Sequence, residues 1–435
     1  MRVTQSIPIT DPQAFKAKLR EWANRSETAV FLDSNGRQDA YSSASVIFAE
    51  GVVDAIGWDP QDGFEALQRF KNEKKDWLFG YLGYDLKNEL EDLESLGQDG
   101  LGFPELYFFQ PQKIVRLLGE TAEFHYRTEV HGSLAQDIRD LLQSRTRMLP
   151  KVATSPIKIK LRIKKEAYHQ KVEALQEHIH RGDIYEANFC QEFYAENVKI
   201  DPMAAYENLN TLSEAPFSAF AKFKSRFLLS ASPERYLKRT GKRLITQPIK
   251  GTAARSEDPS TDRKIGLHLE QDPKERAENI MITDLVRNDL SKHALKGSVT
   301  VEELCKVYSF KQVHQLISTI SCSVVTEIDS VQLIKSSFPM GSMTGAPKLS
   351  AMRLIEKYER TKRGVYSGAL GYFTPEDDFD FSVVIRSILY DAESGFLSFS
   401  VGSAITAKSK AANEYEECLL KAKAMRKVLE GDGYP

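Results

Sequence analysis

Two stretches of this chain carry pairs of glutamates at helical spacing. In DPKERAENIMITDLVRNDL, Glu275 and Glu278 are three residues apart, and in NEYEECLLKAKAM, Glu414 and Glu417 repeat the interval. Residues at i and i+3 share one helix face, their Cβ atoms about 5–6 Å apart. Two such helices facing each other would present four carboxylates to one hard cation. Magnesium suits that set, because it takes oxygen ligands and keeps waters, leaving room for a substrate carboxylate. Either pair alone also reads as a solvated, glutamate-rich helix face.

Other residues invite specific chemistry. Glu234 follows Pro233 at the end of the strand-like run RFLLSAS. A carboxyl fixed at a rigid strand end suits a general acid, and an ordinary surface turn is the bland alternative. Lys250, in TQPIKGTAAR, follows an apolar run and precedes Gly251. Partial desolvation there would lower its pKa toward a neutral, nucleophilic amine; a solvated strand-end lysine is the commoner case. In FPMGSMTGAPKLSAMRL, a flexible polar loop runs into a helix that Pro347 helps to initiate. Free N–H groups at such a start attract anions. Arg386 follows Val383, Val384 and Ile385, which predicts a buried strand and hence a partner, either a bound carboxylate or a protein one. Tyr366, Lys421 and His314 complete the polar set, although a lone histidine on an apolar run is more often core than catalytic.

These residues need a scaffold of strands and helices. Strand-like runs include AVFLDS, SASVIFAEG, DWLFGYLGY and ELYFFQPQKIVRLL, then IYEANFCQEFYA, FSAFAKF, RFLLSAS, RYLKRT, RLITQPI, VYSGALGYF, FSVVIRSILYD and GFLSFSVGSAIT. Periodicity predicts helices over 137–148, 165–181, 273–292, 330–336, 347–361 and 412–430, with Gly182 as a C-terminal cap. A Pro- and Lys-rich stretch near 150–160 reads as a linker or crossover. The class is α+β, with helices outside mostly antiparallel sheets. The 435 residues hold 59 basic and 61 acidic side chains, a balance that disfavours nucleic-acid binding. No apolar run approaches the ~18 residues of a membrane span, and the N-terminus lacks a signal-peptide core. Four scattered cysteines without a CxxC pair point to a reducing cytoplasm.

Ten strings stand in an order that resembles the chorismate-utilising enzyme family: GDIYEANFCQEF, SPERYL, PIKGTAAR, KERAENIMITDLVRNDL, VHQLIS, GSMTGAPK, YSGALGYF, IRS, VGSAI and EYEECLLKA. The family includes anthranilate synthase component I, aminodeoxychorismate synthase component I, isochorismate synthase and salicylate synthase. The resemblance is close over about 160–430 and weaker in the N-terminal third. It implies two large, mostly antiparallel sheets packed together, with a region 1–150 and a catalytic region 155–432 intertwined in one fold.

The resemblance also implies roles. Glu275, Glu278, Glu414 and Glu417 match magnesium-site acids, and the metal would hold the ring carboxylate of chorismate. Glu234 matches the general acid for the departing C4 hydroxyl. Tyr366 and Arg386 match residues that grip the enolpyruvyl carboxylate. Lys421 and the Gly402 backbone match the ring-carboxylate side, and Gly251 and Thr252 join the substrate-binding set. His314 matches a family histidine near the ring. Lys250 in PIKGT resembles the aminodeoxychorismate synthase branch, in which the lysine attacks C2 before ammonia adds at C4. Anthranilate synthase component I is the alternative, and a non-catalytic ligand-sensing subunit is a further one. Ammonia is expected from a separate glutamine amidotransferase subunit. Three positions depart from the pattern: Glu186 replaces the usual Gln, Leu420 replaces Asn, and Asp33 replaces the Glu of a string that binds tryptophan in relatives.

Overall fold

The structure is a computed structural model that describes residues 1–37, 41, 44–57, 62–143 and 157–431. Alternation along the strands explains its layers. In Thr28–Asp33, Ala29 and Phe31 enter one core while Val30 enters another. In Phe217–Phe223 and Arg226–Ser232, Phe220, Phe227 and Leu229 face the first core, and Ala219, Ala221 and Leu228 face the second. A period of two with both faces apolar needs cover on both sides.

All pairings between named strands are antiparallel, and they form two wings. The first runs Arg2–Pro8, Thr121–Arg127, Leu106–Leu118, Val46–Gly57, Thr28–Asp33, Phe217–Phe223, Arg226–Ser232, Ser387–Asp391, Phe396–Ile405, Glu186–Ala195. The second branches from the start of Leu106–Leu118 through Leu78–Leu82, Ala369–Phe373, Phe379–Val383, Arg235–Thr240, Arg243–Gln247 and Val313–Ser323. The last of these carries both Ile249–Ala254 and Thr300–Ser309. Rings from the two wings meet in the second core, as where Tyr81 lies 5.3 Å from Phe223, centroid to centroid. Helices Pro12–Arg25, Lys165–Arg181, Pro202–Ser213 and Ala411–Glu430 cover the first wing. Strands of the N-terminal third lie inside both wings, Thr28–Asp33 beside Phe217–Phe223 and Leu78–Leu82 beside Ala369–Phe373.

The expected α+β architecture holds. The helix expected at 165–181 forms at those residues, and Gly182 caps it in the left-handed region at φ 87°. The helix expected over 137–148 is Leu134–Gln143 as far as it is described; the remainder and most of the 150–160 linker lie outside the described residues. The loop at 341–345 is not a free polar loop. Those residues are buried, because the Thr344 carbonyl accepts the Asn188 N–H at 2.7 Å and ties the loop to strand Glu186–Ala195.

The junction between wings depends on Gly80, where an added Cβ would lie 1.9 Å from the Tyr107 carbonyl oxygen. Gly80→Ala is expected to cost about 2–3 kcal/mol or more, read as a lowered Tm. Gly132→Ala, which meets nothing within 4 Å, is the control. An unchanged Tm for Gly80→Ala would contradict this pairing.

Candidate active site

The chain crosses between the wings twice at one place. Arg226–Ser232 of the first wing passes through Pro233 and Glu234 into Arg235–Thr240 of the second. Phe379–Val383 of the second passes through residues 384–386 into Ser387–Asp391 of the first. The crossings are laced together: the Val383 N–H donates to the Glu234 carbonyl at 3.0 Å, and the Ala231 N–H donates to the Arg386 carbonyl at 3.2 Å. Arg386 therefore does not sit within a strand, as its apolar run suggested. It occupies the break between two strands, at φ 51°.

These crossings open onto a cavity of about 610 Å³. Glu234, Lys250, Gly251, Thr252, Tyr366, Arg386, Gly402 and Lys421 all line it, as do Glu275, Glu278, Glu414 and Glu417. His314 does not. Side chains alternate along a strand, so Val313 and Gln315 face the cavity while His314 points to the other face. There its Nδ1 meets Ser309 Oγ at 2.8 Å and its Nε2 meets Asp262 Oδ1 at 2.9 Å. The helix start at Lys348 is also off the cavity, its ammonium paired with Asp289 at 2.6 Å, whereas Ser342 and Met343 line it.

Each acid is placed by its helix. Asp272 caps Pro273–Ser291 by accepting from the Lys274 and Glu275 N–H groups, which sets Glu275 in the first turn. Lys274 Nζ lies 3.9 Å from Glu275 and 3.7 Å from Glu278. From the other helix, Glu417 pairs with Lys421 at 2.6 Å, Lys421 also donates to the Gly402 carbonyl at 2.9 Å, and Ser403 donates to Glu414. The Glu278 Oε1 is buried without a hydrogen-bond partner. Among the described residues, no three metal-ligating side chains converge closely enough to hold an ion as they stand. The donor chemistry still suits a hard cation: carboxylates from two helices on one cavity wall, one with an orphaned oxygen.

Lys250 sits where the Ile249–Ala254 strand bulges against Val313–Ser323. Gly251 beside it has φ 97°, a conformation that favours glycine, and a Cβ there would crowd Leu316 Cδ1 at 3.0 Å and Glu275 Oε2 at 3.1 Å. Burial lowers the affinity of Lys250 for its proton, but Glu186, Glu278 and Glu234 outweigh that, and its pKa is raised. The expected neutral amine is therefore an ammonium at rest, paired with Glu186 Oε1 at 2.6 Å. Burial pushes the Glu234 carboxyl up to about 7, against Ser342 and Lys250. Burial likewise takes Glu278 to about 7. Glu417 is also pushed up by burial, but Lys421 and Lys274 prevail and leave it lowered. Burial lowers the Arg386 guanidinium, and no hydrogen bond or ion pair of its side chain occurs among the described residues.

Supporting residues escaped the sequence reading. Asn279 donates to the carbonyls of Lys250 and Leu316, pinning the strand that carries Lys250 to the helix that carries Glu275 and Glu278. Arg363 forms a bidentate pair with Glu359 and donates to the Met343 and Asn188 carbonyls. Gln315 lines the cavity, and its Oε1 is buried without a hydrogen-bond partner. Strand alternation in VHQLIS was the available signal for Gln315, and a polar residue on the inner face of a helix was the signal for Asn279.

The chain matches the chorismate binding enzyme profile over residues 18–427, and it belongs to that family. Aminodeoxychorismate synthase component 1 of Escherichia coli (strain K12) is 34% identical over 353 residues, covering 81% of this chain and 76% of that one. The protein of the same name from Klebsiella aerogenes is 34% identical over 356 residues, with the same 81% and 76% coverage. The solved structure of anthranilate synthase component I from Streptococcus pneumoniae TIGR4 superposes with a TM-score of 0.78 at 26% identity, covering 90% of this chain and 93% of that one.

Between about pH 4.5 and 7, an unfolded Glu234 ionises while the folded one keeps its proton, so this group makes stability fall as pH rises through that interval. Glu234→Gln is expected to stabilise the protein above pH 7, by on the order of 3 kcal/mol, and to change little near pH 4. Urea denaturation at both pH values checks this; equal effects would contradict a neutral acid at this position.

Proposed function

We propose that this chain acts as an aminodeoxychorismate synthase component I, converting chorismate and ammonia to 4-amino-4-deoxychorismate. The observation that carries the reading is Lys250 and Glu234 lining one cavity beside four glutamates. The names borne by similar proteins favour amination at C4 over the anthranilate alternative. A ligand-sensing, inactive subunit is disfavoured because neither the acids nor Lys250 are missing from the cavity.

Hydroxide leaves poorly, so the reaction needs a proton at C4 and a nucleophile at C2. Glu234, with a pKa of about 7, holds a proton to give near neutral pH. Lys250 attacks C2 while the C4 hydroxyl departs as water. Ammonia then adds at C4 and the lysine leaves. Arg386 offers its unpaired guanidinium to a substrate carboxylate, where a planar, charged donor is strongest. Tyr366, Thr252 and Gly251 line the same cavity, and Lys421 with the Gly402 backbone would frame the ring-carboxylate side. Glu275, Glu278, Glu414 and Glu417 would hold magnesium, directly or through waters, and the metal would supply positive charge to the ring carboxylate. Ammonia would come from a separate glutamine amidotransferase. The four buried, unpaired cysteines suit a reducing cytoplasm, and no described helix is long and apolar enough to cross a membrane.

Incubation with chorismate, ammonium and magnesium should yield an aminated product that retains its enolpyruvyl group by mass spectrometry. Release of anthranilate and pyruvate would contradict the assignment. Glu234→Ala should lower kcat by about 10²–10⁴-fold, and chelation of divalent ions should abolish turnover; full activity in either case would remove that group from the mechanism.

A further inference from the structure

We propose that Glu186 is the proton acceptor that converts the Lys250 ammonium into a neutral nucleophile. This deepens the reading of Lys250 given above and rests on it. Glu186 opens the strand Glu186–Ala195, and its backbone is held against Ala346: the Tyr185 N–H donates to the Ala346 carbonyl at 2.7 Å, and Glu186 itself registers against Ala346. Its side chain is 1% exposed. Oε1 lies 2.6 Å from Lys250 Nζ, and Oε2 is buried with no hydrogen-bond partner. Glu186 is not among the residues lining the cavity, whereas Lys250 is, so the carboxylate backs the lysine without facing the substrate space.

An ammonium has no lone pair and cannot attack carbon. Lys250 must therefore lose a proton before the covalent step, and it is sealed from water on its inner side. Glu186 is its one ion-pair partner among the described residues. Glu278 from the Pro273–Ser291 helix and Glu234 from the crossover also face Lys250, and both act at longer range. Glu234 is needed as a proton donor and Glu278 as a metal-site acid. That leaves Glu186 as the carboxylate free to take a proton. Transfer within the pair also removes two buried charges at once, and a cavity closed over substrate favours that change.

The steps balance. The Lys250 ammonium gives one proton to the Glu186 carboxylate. The freed lone pair forms the N–C2 bond, both ring double bonds shift (C1=C2 to C1=C6 and C5=C6 to C4=C5), and the C4–O bond breaks, its electron pair taking the Glu234 proton to leave as water. Ammonia forms the N–C4 bond, both double bonds return to their original positions, and the C2–N bond breaks to release neutral Lys250. Lys250 recovers its proton from Glu186. Glu234 recovers its own from the new C4 ammonium or from solvent.

The test is the pH profile of kcat/KM for wild type, Glu186→Gln and Glu186→Asp, with magnesium and ammonium saturating. Wild type should show no lysine limb between about pH 7 and 9, because the proton stays within the pair. Glu186→Gln should be about 100-fold slower near pH 7 and regain roughly tenfold per pH unit as solvent deprotonates Lys250. Glu186→Asp should restore the wild-type shape in part. Glu186 helps to hold the Glu278 pKa up, so Glu186→Gln also moves the Glu278 limb to lower pH, away from the alkaline rise that reports on Lys250. If Lys250→Ala keeps full activity, the covalent reading itself fails. If Lys250→Ala is inactive while Glu186→Gln keeps the wild-type rate, or is slow with an unchanged profile, the inference about Glu186 fails alone.

Discussion

A lysine ammonium buried among carboxylates governs this structure. A bare cation in the interior costs several kcal/mol, and Lys250 is tolerated because Glu186 stands 2.6 Å away, with Glu278 and Glu234 beyond. The balance runs both ways. The same lysine opposes the upward push of burial on Glu234 and Glu278. Two carboxyls are thereby poised near neutrality, where a carboxyl can give or take a proton. Removing either Lys250 or Glu186 leaves its partner's charge buried without its ion pair.

The fold brings them together by topology. Glu234 and Arg386 sit on two adjacent crossings between the wings, each stitched to the other crossing by a backbone hydrogen bond. Lys250 rides a bulged strand of the second wing, which Asn279 ties to the helix bearing Glu275 and Glu278. Glu414 and Glu417 arrive on the Ala411–Glu430 helix, which packs over the first wing. Parts of both wings and two helices therefore meet at one cavity, so the site exists only when the whole assembly has folded. Residues held by strands, crossings and helix faces keep their geometry better than residues on free loops would.

Much of this was legible in the sequence. Helical spacing identified both acidic pairs, and alternation identified most strands. Four helices begin with an Asp cap followed by Pro, at Asp11, Asp201, Asp258 and Asp272. That signature was strong enough to mark Pro12–Arg25, Pro202–Ser213 and Pro259–Gln271 as well, although none of the three was predicted. What local pattern could not supply was three-dimensional. Arg386 reads as mid-strand because its neighbours are apolar, yet the strand breaks there to change sheets. His314 stands out chemically, but period-two geometry turns it away and presents Gln315 instead. The charge state of Lys250 depends on carboxylates 64, 28 and 16 positions away in the chain, at Glu186, Glu278 and Glu234, and no window of sequence contains them all.

The central claim is that an amine at position 250 forms a bond to the substrate ring. It is tested most directly by mixing the protein with chorismate and magnesium in the absence of ammonia, quenching in acid, and locating any adduct by peptide mass spectrometry. The account predicts a modification equal to the substrate less one water, on the peptide carrying Lys250 and absent from Lys250→Ala. An adduct elsewhere, or none under conditions where added ammonia gives full amination, would contradict it.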